Sequence, residues 1–316
     1  MEMQLVKLSI ERLLNYPGNF EGIQIHVLVA GKFIKLNYPN ESFIEILLRL
    51  KAKGVEDAFV NQQDAAVILE GLQEKLSPKF FYDPTTSEEQ KIKQTEMATD
   101  HAKQFIKSVG FTKEAFEVLK LSNQRALEMV KDSPNLYTFV RKFKGNCSEE
   151  YLKGVLTNLL TGLLIEKFPW KSQQIIQKTM YAGILCDVTL EPQDFEEIYK
   201  HEFFQEPISE RVRNHPMEVT EIIRKKREIV PMETLTIIEQ HHEMPDGKGF
   251  PLGLKHSRIN QLSAIFIIAQ RFVQQLFLYN FDFNQRFKML SAIQKRYQYG
   301  VFNKAIDALV KTVDHG

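Results

Sequence analysis

An α+β fold is predicted for this chain, with a small N-terminal α/β domain over residues 1–76, a helical linker region over 77–133 and an all-α helical bundle over 134–316. Three observations predict it. Apolar residues alternate with period two near the N-terminus, and the sequence from about residue 134 onward is almost continuously helix-periodic. Between them, Ser77-Pro78 through Pro84-Thr85-Thr86-Ser87 interrupts the periodicity. The 316 residues are enough for two domains with at least one substantial core. With 43% hydrophobic and 26% charged residues, the composition is that of a soluble globular protein. The 41 basic and 40 acidic residues leave a net charge of +1, which calls for neither nucleic acid nor an anionic membrane as partner. The apolar run Ala264–Ala269 is too short to span a bilayer, and Met1-Glu2-Met3-Gln4 lacks the features of a signal peptide. Cys147 and Cys186 imply no disulfide framework, so a cytoplasmic location is expected.

In the first domain, Ile23, Ile25, Val27 and Val29 alternate with Gln24, His26 and Leu28, the pattern of a half-buried strand. Ala30-Gly31-Lys32 turns the chain into a second strand, Phe33 to Leu36, as a hairpin. Ser42 and Glu45 form a capping box for a helix whose apolar face is Ile44, Leu47, Leu48 and Leu50, with Gly54 as its stop. A strand over Val55–Val60 and a helix carrying Ala66, Leu69, Leu72 and Leu76 follow. His26 reads as a strand-face residue and not a ligand. Glu88 to about Ser108 reads as a solvated connecting helix, with a domain bridge or a dimer contact as alternatives. Lys113–Lys131 is a helix with Phe116, Leu119, Leu127 and Val130 on one side.

The C-terminal half opens with a helix start at Asn146 and Glu149 and a stripe of Leu152, Val155, Leu156, Leu159 and Leu163, ended by Pro169-Trp170. The next helix runs from about Ser172 to Asp187, with Ile175, Ile176, Thr179, Met180, Gly183 and Ile184 inward. Asp187 at its C-terminal end opposes the helix dipole, a cost of a few tenths of a kcal/mol (roughly) unless a cation is near. His215-Pro216 is read as opening a helix with proline at its first position. Pro231 starts the helix that ends in His241-His242. Adjacent helical positions point roughly 100° apart, so the two imidazoles can line one pocket. A solvated pair at a helix C-terminus is the alternative. The continuation places Gly247, Gly249, Pro251 and Gly253 within seven residues, more than a helix stop requires, and favours a site. A strongly buried helix then carries Ile259, Leu262, Ile265, Phe266, Ala269, Phe272 and Leu276, interrupted by Gln270 and Arg271.

In this order the pieces resemble the HD-GYP family, a bacterial branch of the HD-superfamily metal-dependent phosphohydrolases. The family signature HHExxDGxGYPxGL is matched by residues 241–254 with one change, Phe250 for the tyrosine. Losing that hydroxyl removes a hydrogen bond of about 1 kcal/mol at most. Leu185-Cys186-Asp187-Val188 stands where the family has LHDIGK, and His215-Pro216 where it has His-Pro. Arg258-Ile259 and Gly300-Val301-Phe302-Asn303 fit later family elements. The resemblance covers roughly residues 135–316. It implies an HD-type helical bundle that hydrolyses cyclic di-GMP at a centre of two or three metals, commonly iron or manganese. In such a centre one metal acidifies a water and the metals together hold the phosphate oxygens for in-line attack.

The departures are concentrated on one side. Cys186 replaces the family histidine, Thr189-Leu190-Glu191 lacks its lysine, Gln270 replaces its late aspartate, and Tyr279 falls near its arginine. The histidine of the 148–160 helix is missing, with Glu149 or Glu150 near the place of a family glutamate. The ligands of the other metal are all retained, as Asp187, His215, His241 and His242. The resemblance therefore implies one divalent transition metal (iron, manganese or zinc) on an N3O set, with Cys186 read as a small buried residue. It assigns no catalytic residue, and Asp246, Gly249 and Phe250 to nucleotide binding. The expected function is a degenerate HD-GYP-like module in cyclic di-GMP signalling or protein interaction, with little or no hydrolysis. The alternative is an active metal-dependent cyclic di-GMP phosphodiesterase, or related phosphohydrolase, with a reduced metal centre. Cyclic di-GMP or a related nucleotide, protein partners or a homodimer are the expected partners, with no nucleic acid and no membrane.

Overall fold

A computed structural model describes residues 5–14, 22–36, 42–131, 136–200, 208–225 and 229–313. The chain divides into two compact units, Met1–Arg125 and Ala126–Gly316. The first contains β1 (Leu5–Ser9), α1 (Ile10–Leu14), β2 (His26–Val29), β3 (Lys32–Lys35), α2 (Phe43–Ala52), β4 (Asp57–Asn61), α3 (Gln62–Lys75), α4 (Pro78–Phe81), α5 (Glu88–Val109) and most of α6 (Lys113–Lys131). Its four strands form one antiparallel sheet in the order β1-β4-β2-β3. The hairpin turn holds Ala30 and Gly31 at φ 49° and 76°, the left-handed pair whose twist suits a two-residue hairpin.

Three expectations for this unit need correction. The strand alternation buries Ile23, Ile25 and Val27, but Val29 is 50% exposed. It lies at the hairpin tip, beyond the single β2–β4 pair at His26↔Phe59. The capping box of α2 is present, with Glu45 N–H donating to Ser42 Oγ and Ser42 N–H to Glu45. Its inward face, however, is Ile46, Leu47 and Leu50, while Ile44 and Leu48 are exposed. The helix α5 is not a solvated connector. Ile92, Thr95, Ala98, Ala102, Phe105 and Ile106 recur every three or four residues, are buried, and pack on β1 and α3.

The second unit contains α7 (Leu136–Phe143), α8 (Glu149–Ile165), α9 (Gln173–Leu185), α10 (Pro192–Lys200), α11 (Glu210–Arg224), α12 (Met232–Gln240), α13 (Gln261–Leu278), α14 (Arg286–Tyr297) and α15 (Phe302–Val313). The middle of the bundle is α13, which packs on α8, α12, α14 and α15. By length and hydropathy it could cross a membrane, but every side chain from Ser263 to Leu276 is buried, as in the core helix of a folded domain. The cap of α8 is Ser148, which accepts from Tyr151 N–H at 3.3 Å, and not Asn146, whose amide donates back to Lys142 O. The inward face of α9 is Ile176, Thr179, Ala182 and Leu185, with Ile175, Met180, Gly183 and Ile184 only partly buried.

The largest departure from expectation is in α11. The helix starts six residues before Pro216, at Glu210, because Ser209 accepts from Val212 N–H and caps it there. His215-Pro216 therefore lies inside a helix and does not open one. On the other side of the site, α8 and α9 approach closely at Gly183, where a Cβ would come within 1.8 Å of Asn158 Oδ1. Gly183→Ala is expected to destabilise the protein by about 1–3 kcal/mol through overpacking. Urea denaturation checks this, and adding Asn158→Ala should return part of the loss.

Candidate metal centre

The site is built from helix ends and one interruption. Pro216 has no N–H, so the Val212 carbonyl loses the helical donor that would ordinarily claim it. His215 takes that place, with Nδ1 2.6 Å from Val212 O. His241 does the same at the C-terminal end of α12, where the last carbonyls lack helical donors, and its Nδ1 lies 2.6 Å from Ile238 O. A carbonyl only accepts, so both Nδ1 atoms carry a proton, and in the neutral rings both Nε2 atoms keep their lone pairs. Asp187 arrives from the turn after α9, its carbonyl accepting from Leu190 N–H.

These three groups converge. The two Nε2 atoms are 3.2 Å apart and lie 3.3 and 3.4 Å from Asp187 Oδ1. That oxygen is buried and, among the described residues, has no partner in hydrogen-bond geometry. With His242, the ligand atoms of all four residues lie within 4.8 Å of one another. Three facing lone pairs in a buried setting repel one another, and a cation between them removes the conflict. Imidazole nitrogens with one carboxylate suit iron, manganese or zinc, so the residues fit the metal that the sequence implied. All three imidazoles are fully buried, and only Asp187 reaches solvent, its side chain 16% exposed.

The electrostatics favour a metal over a proton. Burial works to raise the Asp187 carboxyl, but hydrogen bonds and positive charge from His215 and His241 in their protonated forms outweigh it and hold the group well below the ordinary 3.8. Burial also pushes His241 down from 6.5, against the carboxylate of Asp187. It pushes His242 well below that value, helped by His241, His215 and the Arg271 guanidinium.

The glycine-rich signature proves to be a loop that seats this cluster. Glu243 is buried, and its carboxylate accepts from Leu252 N–H at 2.8 Å and Leu254 N–H at 2.7 Å. Gly249 packs so tightly that a Cβ would lie 2.3 Å from Met244 N, a backbone atom that cannot yield. The outcome is Phe250, buried and stacked on His242 with ring centroids 4.5 Å apart. Of the three residues assigned to a nucleotide, Gly249 and Phe250 thus pack inward, while Asp246 is exposed and accepts from Lys248 N–H.

The sequence positions at which the resemblance expects further ligands carry other groups. Cys186 is buried, lies outside the cluster, and directs Sγ toward Gly183 O at 3.9 Å. Gln270 is buried in α13. Glu149, at the place of a family glutamate, has a side chain 78% exposed. One cation was missed as bearing on the site: Arg271, whose Nη2 lies 3.3 Å from His242 Nδ1. A charged residue midway along an otherwise apolar helix was the available signal for Arg271.

Among solved structures, the chain is similar to Bd1817, a HDG"Y"P protein from Bdellovibrio bacteriovorus. The two are 16% identical, and the match covers 96% of this chain and 99% of that one with a TM-score of 0.56. Neither a scan against protein-family models nor a search among curated proteins finds a match. The chain therefore has an HD-GYP-type fold, and the likeness extends across the N-terminal unit, which the sequence resemblance did not reach.

A pH dependence follows from the imidazoles. Unfolded histidines take up protons near 6.5, whereas folded His241 and His242 resist them. As pH falls through that value the unfolded state binds more protons, and the metal-free protein loses stability. The depressed Asp187 adds its own loss only at lower pH, below its ordinary 3.8. Urea midpoints of metal-free protein are expected to fall from about pH 7.5 to about pH 5, with a shallower fall in His242→Gln.

Proposed function

We propose that this chain is an HD-GYP-type module that holds one divalent metal, hydrolyses cyclic di-GMP little or not at all, and works in cyclic di-GMP signalling or as a protein-interaction module in the cytoplasm. The observation that carries this reading is the asymmetry of the site. One wall brings Asp187, His215, His241 and His242 within reach of a single ion. At the sequence positions where the resemblance expects the histidine and aspartate of a second ion, this chain has Cys186 and Gln270.

A bound metal would polarise a phosphoryl oxygen or acidify a water. Bimetallic phosphoester hydrolysis divides nucleophile activation and charge neutralisation between two ions, each worth several kcal/mol or roughly a thousandfold in rate. The residues themselves would hold the ion: His215 and His241 present nitrogens fixed by backbone carbonyls, Asp187 supplies the charge, and Phe250 stacks on the neighbouring His242 ring. Such a centre stabilises the fold, because binding to the native state alone adds to its stability.

A second reading, a metal-dependent phosphodiesterase on a reduced centre, is favoured by Asp187, whose side chain is 16% exposed and open to a substrate oxygen. A turnover assay separates the two. Cyclic di-GMP, pGpG and a generic phosphodiester, each with iron, manganese or zinc, are expected to yield no product above the buffer rate. Product that disappears in Asp187→Ala would overturn the proposal in favour of the enzyme. Calorimetric binding of cyclic di-GMP without turnover would support the signalling role. Absence of both would leave protein interaction, with a homodimer testable by sedimentation.

A further inference from the structure

We infer that His242 is not a ligand in this chain: Arg271 locks it in the tautomer whose Nε2 carries the proton, leaving Asp187, His215 and His241 as the ligands of a three-coordinate protein set. The inference rests on the one-metal reading above and refines it. A guanidinium has donors only and stays protonated in proteins. Arg271 Nη2 lies 3.3 Å from His242 Nδ1, so that nitrogen is the acceptor and bears no proton. An imidazolium is excluded by the same contact, since its Nδ1–H would face the guanidinium N–H. A neutral imidazole has a single N–H, and here it is on Nε2. His215 and His241 are the reverse, because backbone carbonyls claim their Nδ1–H.

Both partners are held in place. Arg271 Nη1 donates to Gln274 Oε1 at 2.9 Å, and Gln274 Nε2 donates to Ile198 O at 3.3 Å. The His242 ring is stacked on buried Phe250 with an interplanar angle of 23°. Ligation through Nε2 would require moving the proton to the nitrogen that Arg271 occupies. Ligation through Nδ1 would require displacing the guanidinium and setting a dication beside it. An N2O set leaves a metal with an open position, and the class of ligand that suits it beside a buried cation is water or a small oxyanion.

Three measurements on the full chain test this. In metal-free protein, ¹⁵N spectra of labelled histidine are expected to show Nδ1–H for His215 and His241 and Nε2–H for His242. On zinc titration, the Nε2 signals of His215 and His241 should shift to metal-bound values and those of His242 should keep the Nε2–H pattern. Zinc affinity should change less than about threefold in His242→Gln and fall at least about 100-fold in His241→Gln. Arg271→Met, which frees Nδ1 and lets His242 join the set, should tighten zinc about tenfold. If that variant does not fold, the spectra and the histidine variants still decide. An Nδ1–H tautomer at His242, or equal zinc loss in the two histidine variants, would overturn the inference and leave the one-metal reading standing. Failure of the wild type to bind zinc, iron or manganese would overturn both.

Discussion

Two imidazole lone pairs and a carboxylate oxygen, all within 3.4 Å of one another, set the problem that the rest of this site answers. Each of these atoms is turned inward by a backbone feature. Pro216 releases the Val212 carbonyl, and the end of α12 leaves the Ile238 carbonyl open, so each imidazole donates backward and points its other nitrogen forward. Asp187 follows the end of α9, where a negative charge opposes the helix dipole. A buried set of acceptors without a cation costs free energy at every member. A cation at their centre offsets all of these costs together.

The same reasoning explains the long glycine signature without any ligand beyond the metal. Glu243 ties down Leu252 and Leu254, Gly249 lets the loop touch the end of its own helix, and Phe250 closes over His242. These contacts are needed to seal the cluster whether or not chemistry occurs there. That packing role does not depend on Cys186 or Gln270, and behind the cluster the Arg271 guanidinium, a fixed positive charge, lies against His242.

Much of the site was legible because it is encoded locally. The four residues of the cluster stand in recognisable short motifs, and the fold that unites them is shared with an HD-GYP protein at only 16% identity. What could not be read was set by packing between distant segments. His215-Pro216 resembles a helix start, and only the cap at Ser209 shows that the proline sits inside α11. In α5, charged residues interleave with the buried stripe and hide it. Leu48 and Val29 are apolar in the sequence pattern yet exposed, which the period of the pattern alone does not reveal. Arg271 looked like an interruption of an apolar helix, since its meaning depends on His242, which lies 29 residues earlier.

The central claim is that one metal, and only one, belongs between Asp187, His215 and His241. Elemental mass spectrometry on protein purified without chelators tests it most directly. The account predicts about one iron, manganese or zinc per chain in the wild type and near zero in His241→Ala. Two ions per chain, no metal even after incubation with excess, or a metal content unchanged in His241→Ala would contradict it.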